Sequence, residues 1–147
     1  MKITRNITLQ SAPEGVWPWL VEFAKLQQWN KGMVEERVLS QGAPGPGHVS
    51  EIAIKEGASI NWYENEIMQF VPGEKLVVQL RGKNLGKNPM LVTYALTPEG
   101  DDTHLRYEST WAPHGFMLNL LYPIIVVVAN QNATSCMKRL QKFINGS

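Results

Sequence analysis

The stretch FMLNLLYPIIVVVANQNATSCMKRLQKFI, from Phe116 to Ile144, decides the fold. Projected at about 100° per residue, it puts Leu118, Leu121, Tyr122, Ile125, Ala129, Ala133, Cys136, Leu140 and Phe143 on one side. Gln131, Thr134, Lys138, Gln141 and Lys142 fall on the other. The pattern predicts one long amphipathic helix. Lys138, Arg139 and Lys142 stand where cations favour a helix C-terminus, and Asn145-Gly146 offers a C-cap, so the helix stops at about Asn145. Pro123 has no N–H to donate and disfavours a helical Tyr122. The helix therefore kinks or starts there, with Met117 to Tyr122 as a separate approach turn. No membrane span is expected: the wholly apolar run Ile124 to Ala129 is far shorter than the ~18 residues a span requires, and Asn119, Pro123 and Asn130 interrupt its surroundings.

Two features of the inner face bear on function. Asn132 falls on the apolar stripe, and its neighbours Ala129 and Ala133 are small where a tightly packed core favours Leu or Ile. A buried amide needs a partner. Either Asn132 bonds a strand backbone or rests at the helix surface, or the helix faces a cavity in which the alanines leave room and Asn132 orients a ligand.

Upstream, Ile3, Arg5, Ile7 and Leu9 alternate with polar residues as a strand with one buried face does. Ser11-Ala12-Pro13-Glu14 has capping-box spacing, and Val16, Trp17 and Leu20 follow on a short helix. Phe23, Leu26 and Trp29 continue the helical spacing into a second short turn ending near Asn30-Lys31-Gly32. Strand patterns then occupy Met33 to Leu39, His48 to Lys55, Ile60 to Val71, Leu76 to Leu80, Met90 to Thr97 and Thr103 to Trp111. Gly42 to Gly47 is a turn without the spacing of a phosphate loop, and Gly82 to Pro89 reads as a solvated hairpin loop. One strand, two short helices, a meander of about six strands and one long helix make an α+β domain. Short links imply an antiparallel sheet against which the helix stripe is buried.

At 147 residues the chain fits a single domain over 1–147 with no disulfide or metal staple. A formal net charge of +1 gives no reason to invoke nucleic acid. Cys136 is the only cysteine, and MKITRNITLQ lacks the apolar core of a secretory signal, so a cytoplasmic location is expected.

Three patterns carry a family resemblance. Ile7 to Trp17 (ITLQSAPEGVW) is similar to an opening strand followed by Ala-Pro and an apolar-aromatic pair. Asn65 to Leu76 (NEIMQFVPGEKL) looks like a strand-turn-strand around proline. Gly100 to Leu105 leads into a strand and then the long helix. With the element order, they resemble the START-like, polyketide cyclase-like (SRPBCC) superfamily over nearly the whole chain. The resemblance implies a helix-grip fold, a curved antiparallel sheet wrapped around the C-terminal helix with a hydrophobic cavity between them. It implies no shared catalytic motif, because members bind lipids, sterols or polyketides, catalyse cyclisation or dehydration, or partner other proteins.

Candidate lining residues follow from strand parity. Leu105, Tyr107, Ser109 and Trp111 share one face of the last strand, and Val92, Tyr94 and Leu96 one face of its hairpin partner. On the middle strand the Tyr63 and Ile67 face is taken as inner, since the other would bury Glu64 and Glu66. Each aromatic alone reads as core filling. Together Tyr63, Tyr94, Tyr107, Ser109 and Asn132 give polar tips to an apolar interior, as in ligand pockets. The expected ligand-binding set is Tyr63, Ile67, Val92, Tyr94, Tyr107, Ser109, Trp111, Ile125, Ala129 and Asn132.

His48, His104 and His114 are scattered without metal-binding spacing, and no GxSxG or CxxC occurs, so neither metal nor cofactor is expected. His104, opposite in parity to Leu105, reads as exposed. The expected function is non-covalent capture of a small hydrophobic molecule, lipid-, polyketide- or metabolite-like. One alternative is a cyclase or dehydratase in the same cavity, with a tyrosine or His114 as proton carrier. Another is a protein–protein module acting through Phe116 to Tyr122, or a homodimer.

Overall fold

The computed structural model describes residues 1–112, 115 and 120–146. Strand β1 (Lys2–Leu9) is followed by helices α1 (Pro13–Val21) and α2 (Phe23–Trp29). The meander is β2 (Met33–Val38), β3 (Val49–Glu56), β4 (Ser59–Val71), β5 (Lys75–Arg81), β6 (Met90–Glu99) and β7 (Asp102–Thr110), and helix α3 (Tyr122–Asn145) closes the chain. The strands form one sheet in the order β1-β7-β6-β5-β4-β3-β2, antiparallel at every step. The sheet is curved around α3, the helix-grip arrangement.

The capping box at Ser11–Glu14 does not form. Ala12 is the N-cap and Pro13 opens the helix, with the Ala12 carbonyl accepting from the N–H groups of Gly15 and Val16 at 2.9 and 3.2 Å. Proline is suited to the first helical position because its missing N–H is not needed there, which moves the start one residue past a Ser11 cap. The Ser11 carbonyl instead accepts from the buried Thr103 hydroxyl at 2.7 Å, joining this turn to β7.

Of the two outcomes Pro123 allowed, α3 starts there: Leu121 is the N-cap. It stops where Gly146 turns left-handed (φ 77°, ψ 22°) and its N–H reaches the Lys142 carbonyl at 3.1 Å. Phe116, Met117 and Leu118 of the expected approach lie outside the described residues.

The buried stripe of α3 is Ala133, Cys136, Met137 and Leu140, whereas Leu121 and Phe143, expected on it, are exposed. The azimuth is set by tethers on both flanks. On the β1 side, Arg5 donates from Nε to Thr134 Oγ1 at 3.2 Å and from Nη2 to Asn130 Oδ1 at 3.0 Å. Gln141 Nε2 donates to the Thr8 carbonyl at 3.3 Å, and Asn145 Oδ1 accepts from the Gln10 N–H at 2.8 Å. Thr134 and Gln141, expected to face solvent, thus bond β1, Thr134 through the Arg5 side chain and Gln141 through the Thr8 carbonyl. On the α2 side, Arg139 Nε donates to the Trp29 carbonyl at 2.9 Å.

Two irregularities escaped the period-2 pattern. The β4–β5 register shifts between Ile67 and Gln69, a bulge that turns both Ile67 and Phe70 toward the core, where Phe70 meets Trp17 edge-on at 5.4 Å. The loop after β5 contains a 3-10 turn, Lys83–Leu85, that packs Leu85 against Tyr63 and Leu80. The interior accordingly has two parts. The larger gathers Leu9, Val16, Leu20, Trp29, Leu105 and Leu140, and the smaller is Tyr63, Leu80 and Leu85.

Candidate ligand-binding site

Cross-strand partners share a face, so the register assigns the concave surface. Val92 faces Ser109 and Tyr94 faces Tyr107 across β6–β7, while Ile52 faces Tyr63 and Asn65 faces Leu80. Tyr63 is 6% exposed and Glu64 is exposed, so the Tyr63 face of β4 is the inner one.

Val92 and Tyr94 lie in the larger core, with Ile67 and Tyr107 at its margin. The rings of Tyr94 and Tyr107 are 5.6 Å apart, tilted by 48°, and Tyr94 meets Trp29 edge-on at 6.3 Å. Ser109 is buried beside them. Burial pushes the Tyr94 phenol well above its usual pKa, with Tyr107 and Cys136 adding to the effect. Burial also raises Tyr107, against which the Ser109 hydroxyl and Arg5 act. Both phenols are neutral hydrogen-bond donors at pH 7. Burial raises the Cys136 thiol too, offset by Arg139, whose Nη2 lies 3.4 Å from Sγ.

Tyr63 stands apart, in the smaller core on which Trp111 packs. Its hydroxyl donates to Glu56 Oε1 at 2.5 Å and accepts from Asn84 Nδ2 at 3.4 Å. Burial first, and that carboxylate second, push the phenol up to about 12. The strand candidates therefore divide into a Tyr94–Tyr107–Ser109 group and a Tyr63–Trp111 group.

On α3, Ile125 and Ala129 are half-buried and Asn132 is exposed, its Oδ1 lying 4.0 Å from Cys136 Sγ. Leu121, Ile125, Val128 and Asn132 follow one another at steps of four, three and four residues. They continue the flank from which Arg139 reaches α2. His104 sits on the convex face near Asn6 and Glu99, and His114 lies outside the described residues.

Two open grooves lie away from the tyrosine pair. One of about 490 Å³ follows the β1–α3 seam at Arg5, Asn130 and Thr134. Another of about 400 Å³ lies beside Met1, Asn88 and Trp111. Neither is lined by Tyr94 or Tyr107. The concave face differs from both grooves in that its polar tips are few and set among apolar side chains.

Three concave-face residues were missed by the sequence reading: Glu36, Ser50 and Asn65. Asn65 shares the parity of Tyr63 and Ile67, and Ser50 that of Ile52, so both were legible. Glu36 was not, because a register shift between Met33 and Glu35 breaks the alternation of β2.

The profile of a family described as polyketide cyclase / dehydrase and lipid transport matches residues 1–142. The chain belongs to this family. Solved structures share the fold across its length. The protein TTHA0849 from Thermus thermophilus superposes with a TM-score of 0.80 at 14% identity, covering 99% of this chain and 98% of that one. The Zhui aromatase/cyclase from Streptomyces sp. R1128 gives 0.79 at 11% identity over 99% and 93%. Ara h 8.0201 gives 0.71 at 11% over 100% and 99%. At such identities the likeness carries the fold alone. No curated protein sequence matches the chain. Family and fold are thus of the polyketide cyclase/dehydrase and lipid transport type, and no helix among the described residues is long and apolar enough to cross a membrane.

Proposed function

We propose that this protein binds a small, largely hydrophobic molecule between its sheet and α3. One observation carries the reading: the inward stripe of α3 is buried only in its C-terminal half. Ala133, Cys136, Met137 and Leu140 are buried, but Tyr122, Val126 and Ala129, on the same stripe one to three turns earlier, are only half-buried. Val128 beside them is 57% exposed. Leaving such apolar surface in contact with water forgoes roughly 25 cal/mol per Å² of burial, and an apolar guest recovers it. The neutral donors Tyr94 and Tyr107 supply the few polar contacts such a guest needs for orientation.

Fluorescence titration with N-phenyl-1-naphthylamine, alongside native mass spectrometry of protein purified from cells, tests this. The wild type binds the probe, and Ala129→Phe, which fills the space, loses it with little change in melting temperature. A probe that does not bind, or that binds the filled variant equally well, overturns the reading.

The buried phenols also favour a second reading, cyclisation or dehydration in the same space with Tyr107 as proton donor. Turnover of a polyketide-like substrate that disappears in Tyr107→Phe while probe binding persists would distinguish catalysis from capture.

A further inference from the structure

Glu36 is a half-buried carboxylate on the concave face. It pairs with Ile52, which is 3% exposed, and Ile52 pairs in turn with Tyr63. On the same face Ser50 pairs with Asn65. The three side chains form a line: Asn65 Nδ2 donates to Ser50 Oγ at 3.4 Å, and Ser50 Oγ donates to Glu36 Oε2 at 3.4 Å.

Both bonds are long, and they leave the carboxylate poorly compensated. Among the described residues Ser50 alone donates to Glu36, and no lysine or arginine lies within ion-pair distance of it. Three other carboxylates are better served. Glu35 has Arg37 at 3.1 Å, Glu108 has Lys2 at 3.0 Å, and Glu56 has Asn61 at 2.8 Å as well as Tyr63. A partly desolvated carboxylate is costly to keep without strong donors. Val38, on the same face at the mouth of the β2 edge, is 57% exposed, so this wall is reachable from solvent.

We propose that Glu36, Ser50 and Asn65 are the polar recognition site of the cavity, taking the hydroxyl group of an otherwise apolar ligand, an alcohol or phenol. The inference rests on the cavity reading above. Donation in the line runs toward Glu36, and an ionised carboxylate only accepts, so the complementary ligand group is a donor. An O–H meets it with a short, charge-assisted bond. A ketone or ester oxygen has no proton to offer and faces a like partial charge. The site therefore selects a hydroxylated ligand over its carbonyl or hydrocarbon counterpart.

Titration of wild type and Glu36→Gln with 2-naphthol and with naphthalene tests this, with melting curves reporting folding. The wild type prefers 2-naphthol by about tenfold, the scale of one hydrogen bond to a charged group. In Glu36→Gln the preference falls several-fold while naphthalene affinity is unchanged. Glu36→Ala carries the same expectation should the glutamine variant not fold. If both probes bind and the preference survives both substitutions, the recognition site is overturned and the cavity stands. If neither probe binds the wild type, the cavity reading fails and the recognition site with it.

Discussion

Arg139 Nε donates to the backbone carbonyl of Trp29 at 2.9 Å, and this bond couples the long helix to the short one before the meander. The Trp29 indole N–H in turn donates to the Trp19 carbonyl at 2.9 Å. Trp29 is 1% exposed, so the whole connection lies against the larger core. Arg139→Ala leaves the Trp29 carbonyl without this donor and lowers stability by about 1–3 kcal/mol. Urea unfolding measures it. An Arg139→Ala variant as stable as wild type would show that α2 and α3 hold together by apolar packing alone.

Gly82 offers a cleaner steric test. Its φ of −170° is open to any residue, but a Cβ there would stand 2.5 Å from Cδ1 of Tyr63. Gly82→Ala therefore has to displace the ring in the smaller core and costs about 1–3 kcal/mol. In a Tyr63→Leu background the added cost shrinks, because the conflicting atoms are gone. A double-mutant cycle on melting data reads that coupling, and strict additivity would argue against it.

Alkaline stability reports on the Tyr63 phenol, whose pKa is raised first by burial and second by the Glu56 carboxylate. The folded-state pKa of Tyr63, about 12, lies above the ordinary value of 10. The stabilisation tied to the protonated phenol is therefore complete below pH 10 and is lost as pH rises from 10 through about 12. Tyr63→Phe has no proton to lose at this position, so its stability declines less steeply over that window. Equal slopes for the two proteins in pH-dependent urea unfolding would contradict the assignment.

Much of this architecture is legible in the chain because the relevant signals are local. Pro123 and Gly146 mark the ends of α3 through backbone constraints. The alternation of Val92, Tyr94 and Leu96 survives because β6 and β7 pair without irregularity. The azimuth of α3 is different. It depends on Arg5 and Trp29, more than a hundred positions from Thr134 and Arg139, so the burial of Met137 and the engagement of Gln141 have no local trace. Parity alone places Tyr63 inside, yet the partner of its hydroxyl, Glu56, depends on the tight register of the β3–β4 hairpin. Bulges in β2 and β4 obscured Glu36 and Phe70 for the same reason: one extra residue reverses parity, and nothing in composition announces it.

Glu36 yields a prediction independent of any ligand. Burial raises its pKa above 4.5, while the Ser50 hydroxyl and the charge of His48 act the other way. A raised carboxyl pKa means that the folded state favours the protonated form, so this group's contribution is fully present below pH 4.5 and is lost as pH rises through the folded value. The ionised carboxylate, the form favoured as pH rises, is therefore the one the fold solvates poorly. Glu36→Gln keeps the shape and removes that charge, so its melting temperature should exceed that of wild type at pH 7 and the difference should close toward pH 4. A residue that recognises ligand is expected to trade stability in this way. Differential scanning calorimetry across pH 4–7 provides the measurement. A glutamine variant that is less stable at pH 7, or whose advantage does not depend on pH, would mean that Glu36 is a structural partner of Ser50, its carboxylate already satisfied by the fold.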